Sequence, residues 1–248
     1  MCGAINNVSD FPLLDPLLGL AGYSEAEIRS VLNKRECRPT DDVLALVPTK
    51  LGPRLMAATW WLKLDPDTLL PDTRWNTFNC RSSQILKSPL HQMAPRSYRA
   101  VVITDGFYEW QPRYAGGRLY SDLSAEEQQH LPRPQSKQRH WIHRPGELML
   151  LGALCKHWLD AEGNPKVSVG VITLPPHPAF LDVHAKSFPL VLRPEELEDW
   201  MNPRLRHEQF GSLFVETEVR VDVEVQAIND QEFDLIPEEP LILRAPQV

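Results

Sequence analysis

Apolar positions along this chain fall into short runs that alternate with polar residues or stay apolar throughout. These are the patterns of half-buried and fully buried strands, and they are joined by one clear helical stripe. The stripe follows Ser24 and Glu27, whose spacing is that of a capping box, and runs through Ile28, Val31 and Leu32 to end near Asn33. Val43 to Val47 and Arg54 to Leu62 read as strands; the second carries Trp60 and Trp61, which the pattern assigns to the core, and precedes an Asp65-Pro66 turn. Tyr98 to Thr104 is an apolar, β-branched strand that runs directly into Asp105-Gly106-Phe107-Tyr108-Glu109-Trp110. Trp141 to His143 and Leu148 to Leu154 predict a hairpin around Pro145-Gly146, Val167 to Thr173 a buried strand, and Val219 to Ala227 the last strand before a proline-containing tail. Pro194, followed by Glu195, Glu196 and Glu198, begins a short helix through Trp200.

Between Arg113 and Arg139 the pattern lapses. Gly116-Gly117, Glu126-Glu127, Pro132 and Pro134 lead to a basic end at Lys137 and Arg139, which reads as a surface insertion whose basic end is either a contact for a phosphate backbone or, more commonly for such clusters, a solvated loop. Twenty-three prolines against 12 glycines exclude long helices, since proline is barred from helix interiors and central strands. The predicted fold is α+β, mainly β, a compact single domain over 1–248 with a few short helices and the insertion at about 113–139.

Composition narrows the class. A chain of 248 residues with 42% hydrophobic and 24% charged content has enough apolar surface for a sizeable core. No signal peptide or membrane span is evident, because the apolar stretch from Phe11 to Ala21 is broken by Pro12, Asp15 and Pro16. Cys2, Cys37, Cys80 and Cys155 lie far apart without C-x-x-C spacing, so neither a zinc knuckle nor a disulfide framework is indicated, and a reducing cytoplasm fits. His177 and His184 do not form a recognisable ligand pair, and no metal or other cofactor is expected. A net charge of -7 argues against coating nucleic acid through bulk electrostatics while leaving room for a local basic groove. With no heptad and no exposed apolar helix, the expectation is a monomer.

Candidate chemistry is scattered. Cys2 follows the initiator methionine, and removal of Met1 would leave an α-amine and a thiol on adjacent carbons, each partly deprotonated near neutral pH. Such a pair attacks an aldehyde: the amine forms an imine, and the thiolate adds to the same carbon to close a thiazolidine. The plain alternative is a small buried hydrophobe beginning a strand. Glu109, at the end of an apolar strand between Tyr108 and Trp110, would lose hydration and become useful as a general acid or base; the alternative is an exposed strand-end glutamate. His184, in the loop from Pro175 to Phe188, is either a proton shuttle or a surface residue. Asn79 can orient an amine or carbonyl, and Arg81, on the same face if this stretch is a strand, can hold a phosphate.

Met1-Cys2-Gly3, Asn79-x-Arg81, the run from Asp105 to Trp110 and a late histidine before Pro189-Leu190-Val191-Leu192 together resemble the SRAP family, whose members process abasic sites in single-stranded DNA. The resemblance covers nearly the whole chain and implies a mainly β fold with a few helices. It also implies Met1 removal and a thiazolidine between Cys2 and the ring-opened sugar, with β-elimination as a side activity. Asn79 would position the amine or sugar, Glu109 would move protons, and His184 would assist. Arg81 and Trp110 match family positions near DNA, and Pro39 and Lys186 fall where the family's Asn-x-Ala-Pro and His-containing segments contact it. The expected partner is single-stranded DNA carrying an abasic site, met in the cytoplasm at the damaged nucleoid.

This chain departs from the family pattern on the phosphate-binding side. Ala4 follows Cys-Gly where an arginine is usual, Glu36-Cys37-Arg38-Pro39 replaces Asn-x-Ala-Pro, and His184 is followed by Lys186 in a segment one residue longer. Two other readings stay open. A thiol peptidase or self-processing hydrolase would use Cys2 with His184 and Asn79, and a catalytically silent module would only bind nucleic acid.

Overall fold

The apolar runs become strands of two sheets. In the computed structural model, which describes residues 3–85, 87, 98–229 and 233–246, the strands are β1 Ile5–Asn6, β2 Gly22–Tyr23, β3 Glu36–Cys37, β4 Asp42–Thr49, β5 Gly52–Trp60, β6 Asn79–Arg81 and β7 Tyr98–Thr104. The chain continues through β8 Gly106–Arg113, β9 Ser136–His143, β10 Met149–Leu159, β11 Pro165–Leu174, β12 Phe188–Pro189, β13 Val191–Leu192, β14 Val223–Ala227 and β15 Leu241–Leu243. Five of these form a closed ring. β11, β10, β7, β4 and β5 pair antiparallel in that order, and a parallel contact between β5 and β11, Thr59 opposite Ser168 and Trp60 opposite Val169, closes it.

Residues on both faces of the ring strands are buried, which is why Ala100-Val101-Val102-Ile103 reads as continuous apolar sequence. Val43, Ala45, Val102 and Leu151 pack in one cluster with Phe107, Ile142 and Val225 of the second sheet. Leu44, Leu46, Val101 and Leu154 pack in another with Ile28, Val31 and Trp200. Each such side chain contributes about 1.5–3 kcal/mol relative to an exposed one. Gly170 in β11 permits a close approach, because a Cβ there would stand 2.8 Å from Cys80 Sγ and from the Thr77 carbonyl. The second sheet has the order β15-β14-β9-β8-β1-β3.

The mainly β expectation holds, and several boundaries are corrected. The stripe forms a helix over Glu25–Leu32, with the Ser24 hydroxyl accepting from the Glu27 amide at 3.4 Å. The Glu27 carboxylate instead turns to β5 and accepts from the Ala57 amide at 3.1 Å. Strand β5 ends at Trp60 rather than Leu62, since Leu62 already bonds to the Thr77 carbonyl in the next segment. Arg144 and Glu147 do bridge the Pro145-Gly146 turn, but no hairpin follows: β9 pairs with β8 and β14, while β10 pairs with β7, β11 and β13. The last predicted strand is shorter, beginning at Val223, and the tail supplies β15 as its partner.

Residues 114–135 connect β8 to β9 through turns and a short helix, Ala125–Gln129, closed by a Ser124–Glu127 capping box. Residues 136–139, read from sequence as the basic end of a loop, are strand. Lys137 is exposed but Arg139 is 3% exposed, so the solvated reading fails there.

Candidate functional site

Glu109 lies inside β8, not at a strand end, because β8 continues to Arg113 along β9. It is 3% exposed. Its partner arrives from the loop after β11. That loop is anchored by buried Phe180 and Val183, and the His184 amide donates to the Phe180 carbonyl at 2.8 Å. His184 Nδ1 then stands 3.1 Å from Glu109 Oε2. The two residues that sequence reasoning nominated separately are thus one hydrogen-bonded acid–base pair. The loop is also held from outside, since the Ser121 amide and hydroxyl donate to the Asp182 carboxylate at 2.7 and 3.0 Å.

On the other edge of β8 runs β1, with Ile5 opposite Phe107 and the Tyr108 amide donating to the Ala4 carbonyl at 2.9 Å. Continued by two residues, this antiparallel register sets Gly3 opposite Glu109. Met1 and Cys2 lie outside the described residues. Cys37, Cys80 and Cys155 are buried free thiols, and burial pushes them up to about 11, about 12 and about 12 respectively. Such thiols stay protonated at neutral pH and do not serve as nucleophiles.

Asn79 and Arg81 lie on β6, parallel to β11, opposite Val171 and Thr173. Asn79 is buried and Arg81 exposed, and they share a strand face near the end of β11 from which the His184 loop departs. Lys186, two residues after His184, is exposed, and Pro39 sits half-buried in the turn after β3.

A cationic cluster gathers at Tyr108 and Trp110, which flank Glu109 in β8 and face the other side of the sheet. Arg38 lies over the Trp110 ring at 5.3 Å and pairs with Glu36 at 2.6 Å. Arg139, opposite Trp110 in the ladder, lies 4.0 Å from the Tyr108 ring centroid and pairs with Glu36 as well. The cluster's sequence signal is the basic pair Lys137 and Arg139, which reads from sequence as the end of a loop. His140, opposite Glu109, is buried and held below the ordinary imidazole range by loss of hydration. Among the described residues no three His, Cys, Asp or Glu side chains converge as metal ligands, and no helix is long and apolar enough to cross a membrane.

The family model for SOS response associated peptidase (SRAP) matches residues 1–231. The abasic site processing protein YoqW of Bacillus subtilis is 23% identical over 205 residues, covering 82% of this chain and 81% of that protein. The abasic site processing protein HMCES of Gallus gallus is 25% identical over 149 residues, covering 59% of this chain and 43% of the relative. Among solved structures, a protein from Bacteroides thetaiotaomicron superimposes with a TM-score of 0.69 at 17% identity, covering 92% of this chain and 93% of the other. One from Bordetella bronchiseptica gives a TM-score of 0.64 at 16% identity, covering 92% and 100%. These likenesses establish the fold.

Proposed function

The chain belongs to the SOS response associated peptidase (SRAP) family, and on that premise we propose that it traps abasic sites in single-stranded DNA through Cys2 after Met1 is removed. The observation that carries this reading is the Glu109–His184 pair at 3.1 Å, set opposite the strand position next to Cys2. An abasic sugar is an aldehyde in equilibrium with a closed hemiacetal, so its capture needs a nucleophile at the carbonyl and a group that moves protons to and from the ring oxygen. In this reading the Cys2 amine adds to the aldehyde carbon, water leaves and an imine forms. The thiolate then adds to the imine carbon, the nitrogen takes a proton, and the thiazolidine closes with no change of oxidation state. Glu109 accepts and returns the protons, with His184 Nδ1 held against its carboxylate to orient it and share the charge. Asn79 orients the amine or sugar, while Arg81, Lys186, Pro39 and Trp110 lie along the strand, where phosphate contact and base stacking supply affinity. The imine also permits β-elimination of the 3′ phosphate. The protein acts as a monomer on damaged nucleoid DNA in the cytoplasm.

Denaturing electrophoresis of Met1-processed protein with single-stranded DNA containing one abasic site tests this. A heat-stable shifted band that disappears with Cys2→Ala is expected. No band from protein with a confirmed free Cys2 would sink the reading. Retained thiol activity after N-terminal acetylation would then favour acyl transfer, which needs the thiolate but not the amine.

A further inference from the structure

At the other end of β1 from Gly3, a cavity of about 670 Å³ opens beside Asn6, Asn7, Ser9, Arg35, Asp105 and Trp141. Its volume falls in the range of about 300–1,000 Å³ typical of small-ligand sites. Asp105 is fixed there through one oxygen: Oδ2 accepts from the Ser9 amide at 2.8 Å, from the Ser9 hydroxyl and from the Asn6 amide group at 3.4 Å. Its other oxygen, Oδ1, is buried; among the described residues it has no donor, Asn7 Oδ1 has no donor, and Trp141 Nε1 has no acceptor. Asp105 and Asn7 are 9% and 3% exposed, so water does not freely satisfy them. Leaving such a group unpaired is costly, since the buried atom gives up its hydration without a replacement bond. Three residues of the cavity lining thus carry incomplete polar groups, two acceptors and one donor, whose complement is a ligand that sets N–H donors beside a hydrogen-bond acceptor, next to an anion that meets exposed Arg35.

We propose that this cavity binds the base of a nucleotide, with Asp105 Oδ1 and Asn7 Oδ1 accepting from ring or amino N–H groups, Trp141 Nε1 donating to an adjacent base acceptor, and Arg35 contacting the phosphate. The choice of ligand rests on the reading of this chain as a DNA-binding protein. Asp105, which immediately precedes β8, and Glu109 within it are four residues apart, about 13 Å at 3.3 Å per residue, so an extended DNA strand engaged at Glu109 passes within reach. The base belongs either to that strand or to a free nucleotide.

Calorimetric titration separates the two. Wild-type protein, Asp105→Asn, Trp141→Phe and Arg35→Ala are titrated with the four deoxynucleoside monophosphates and with undamaged single-stranded oligonucleotides of dA, dC and dT. Bases are expected to differ in affinity by about tenfold, the scale of one paired edge contact. Asp105→Asn, which can place an N–H where an acceptor stood, should reorder that preference. Trp141→Phe should weaken it, and Arg35→Ala should lower all affinities alike. Monophosphate binding identifies a free-nucleotide site, whereas preference seen only with oligonucleotides identifies a base of the bound strand. Equal affinity for all bases, or a preference unchanged in both Asp105→Asn and Trp141→Phe, overturns the proposal. If Asp105→Asn does not fold, Trp141→Phe decides, because it keeps an aromatic ring and removes only the indole N–H side. These probes contain no abasic site, so base preference without crosslinking would sink the abasic-site reading alone, and crosslinking without base preference would sink only this one.

Discussion

Glu109 and Gly106 show why the Asp105–Trp110 run is constrained residue by residue. Replacing Glu109 by Gln keeps the volume and the hydrogen-bonding reach to His184 but removes the proton acceptor, so crosslinking to abasic DNA should slow by about 10²–10⁴-fold. Binding to undamaged DNA should be unchanged, which a time course on denaturing gels and a parallel titration would check. Gly106 has a different reason. A Cβ there would stand 2.6 Å from Trp141 Nε1 and collide with the Ile142 carbonyl. Gly106→Ala should therefore destabilise the protein by about 1–3 kcal/mol, read as a melting temperature lower by about 2–12 °C for a domain of this size. Sequence alone marked Glu109 through its aromatic neighbours. It could not mark the need for glycine, because the colliding groups come from β9.

At the scale of elements, what was legible is what repeats locally. The Ser24 cap, the period of Ile28 and Val31 and the apolar runs of β4, β7 and β11 came through because each is written within a few residues. The crossing from β9 to β10 between sheets was not legible, since a tight Pro145-Gly146 turn looks the same whether its strands pair or part. The Asp182 clasp was also hidden, joining as it does two loops far apart in sequence. That clasp ties residues 114–135 to the loop bearing His184. Asp182→Ala removes both hydrogen bonds, each worth about 0.5–1.5 kcal/mol, and should slow crosslinking severalfold and lower the melting temperature by about 2–12 °C while leaving DNA affinity nearly unchanged. Faster amide exchange over 175–188 in the variant would confirm that the rate loss comes from a loosened loop; unchanged crosslinking would assign the clasp to surface packing alone.

For the whole molecule, buried titratable groups set the pH range of stability. His140, His143 and His157 are held below their ordinary value of 6.5, chiefly by burial. The unfolded chain takes up their protons first as pH falls, so the stability they permit is complete above about 6.5 and declines below it. Cys37, Cys80 and Cys155 are raised from 9.0, to about 11, about 12 and about 12. They ionise first in the unfolded chain, and stability falls as pH rises above 9. Lys156, lowered by burial, opposes the thiols but is one group against three. Thermal melts should thus show a plateau between about 6.5 and 9 with a decline on each side; a melting temperature that keeps rising below pH 6 would contradict the burial of these histidines.

Pairing Thr59 with Ser168 also gives the molecule a timetable. The ring cannot close until synthesis has passed Ser168, and His184 emerges later still, long after β1 has left the ribosome. Through most of translation the N-terminus therefore exists without the pair that would serve it, and the newborn chain is disarmed until every strand of its ring has been made.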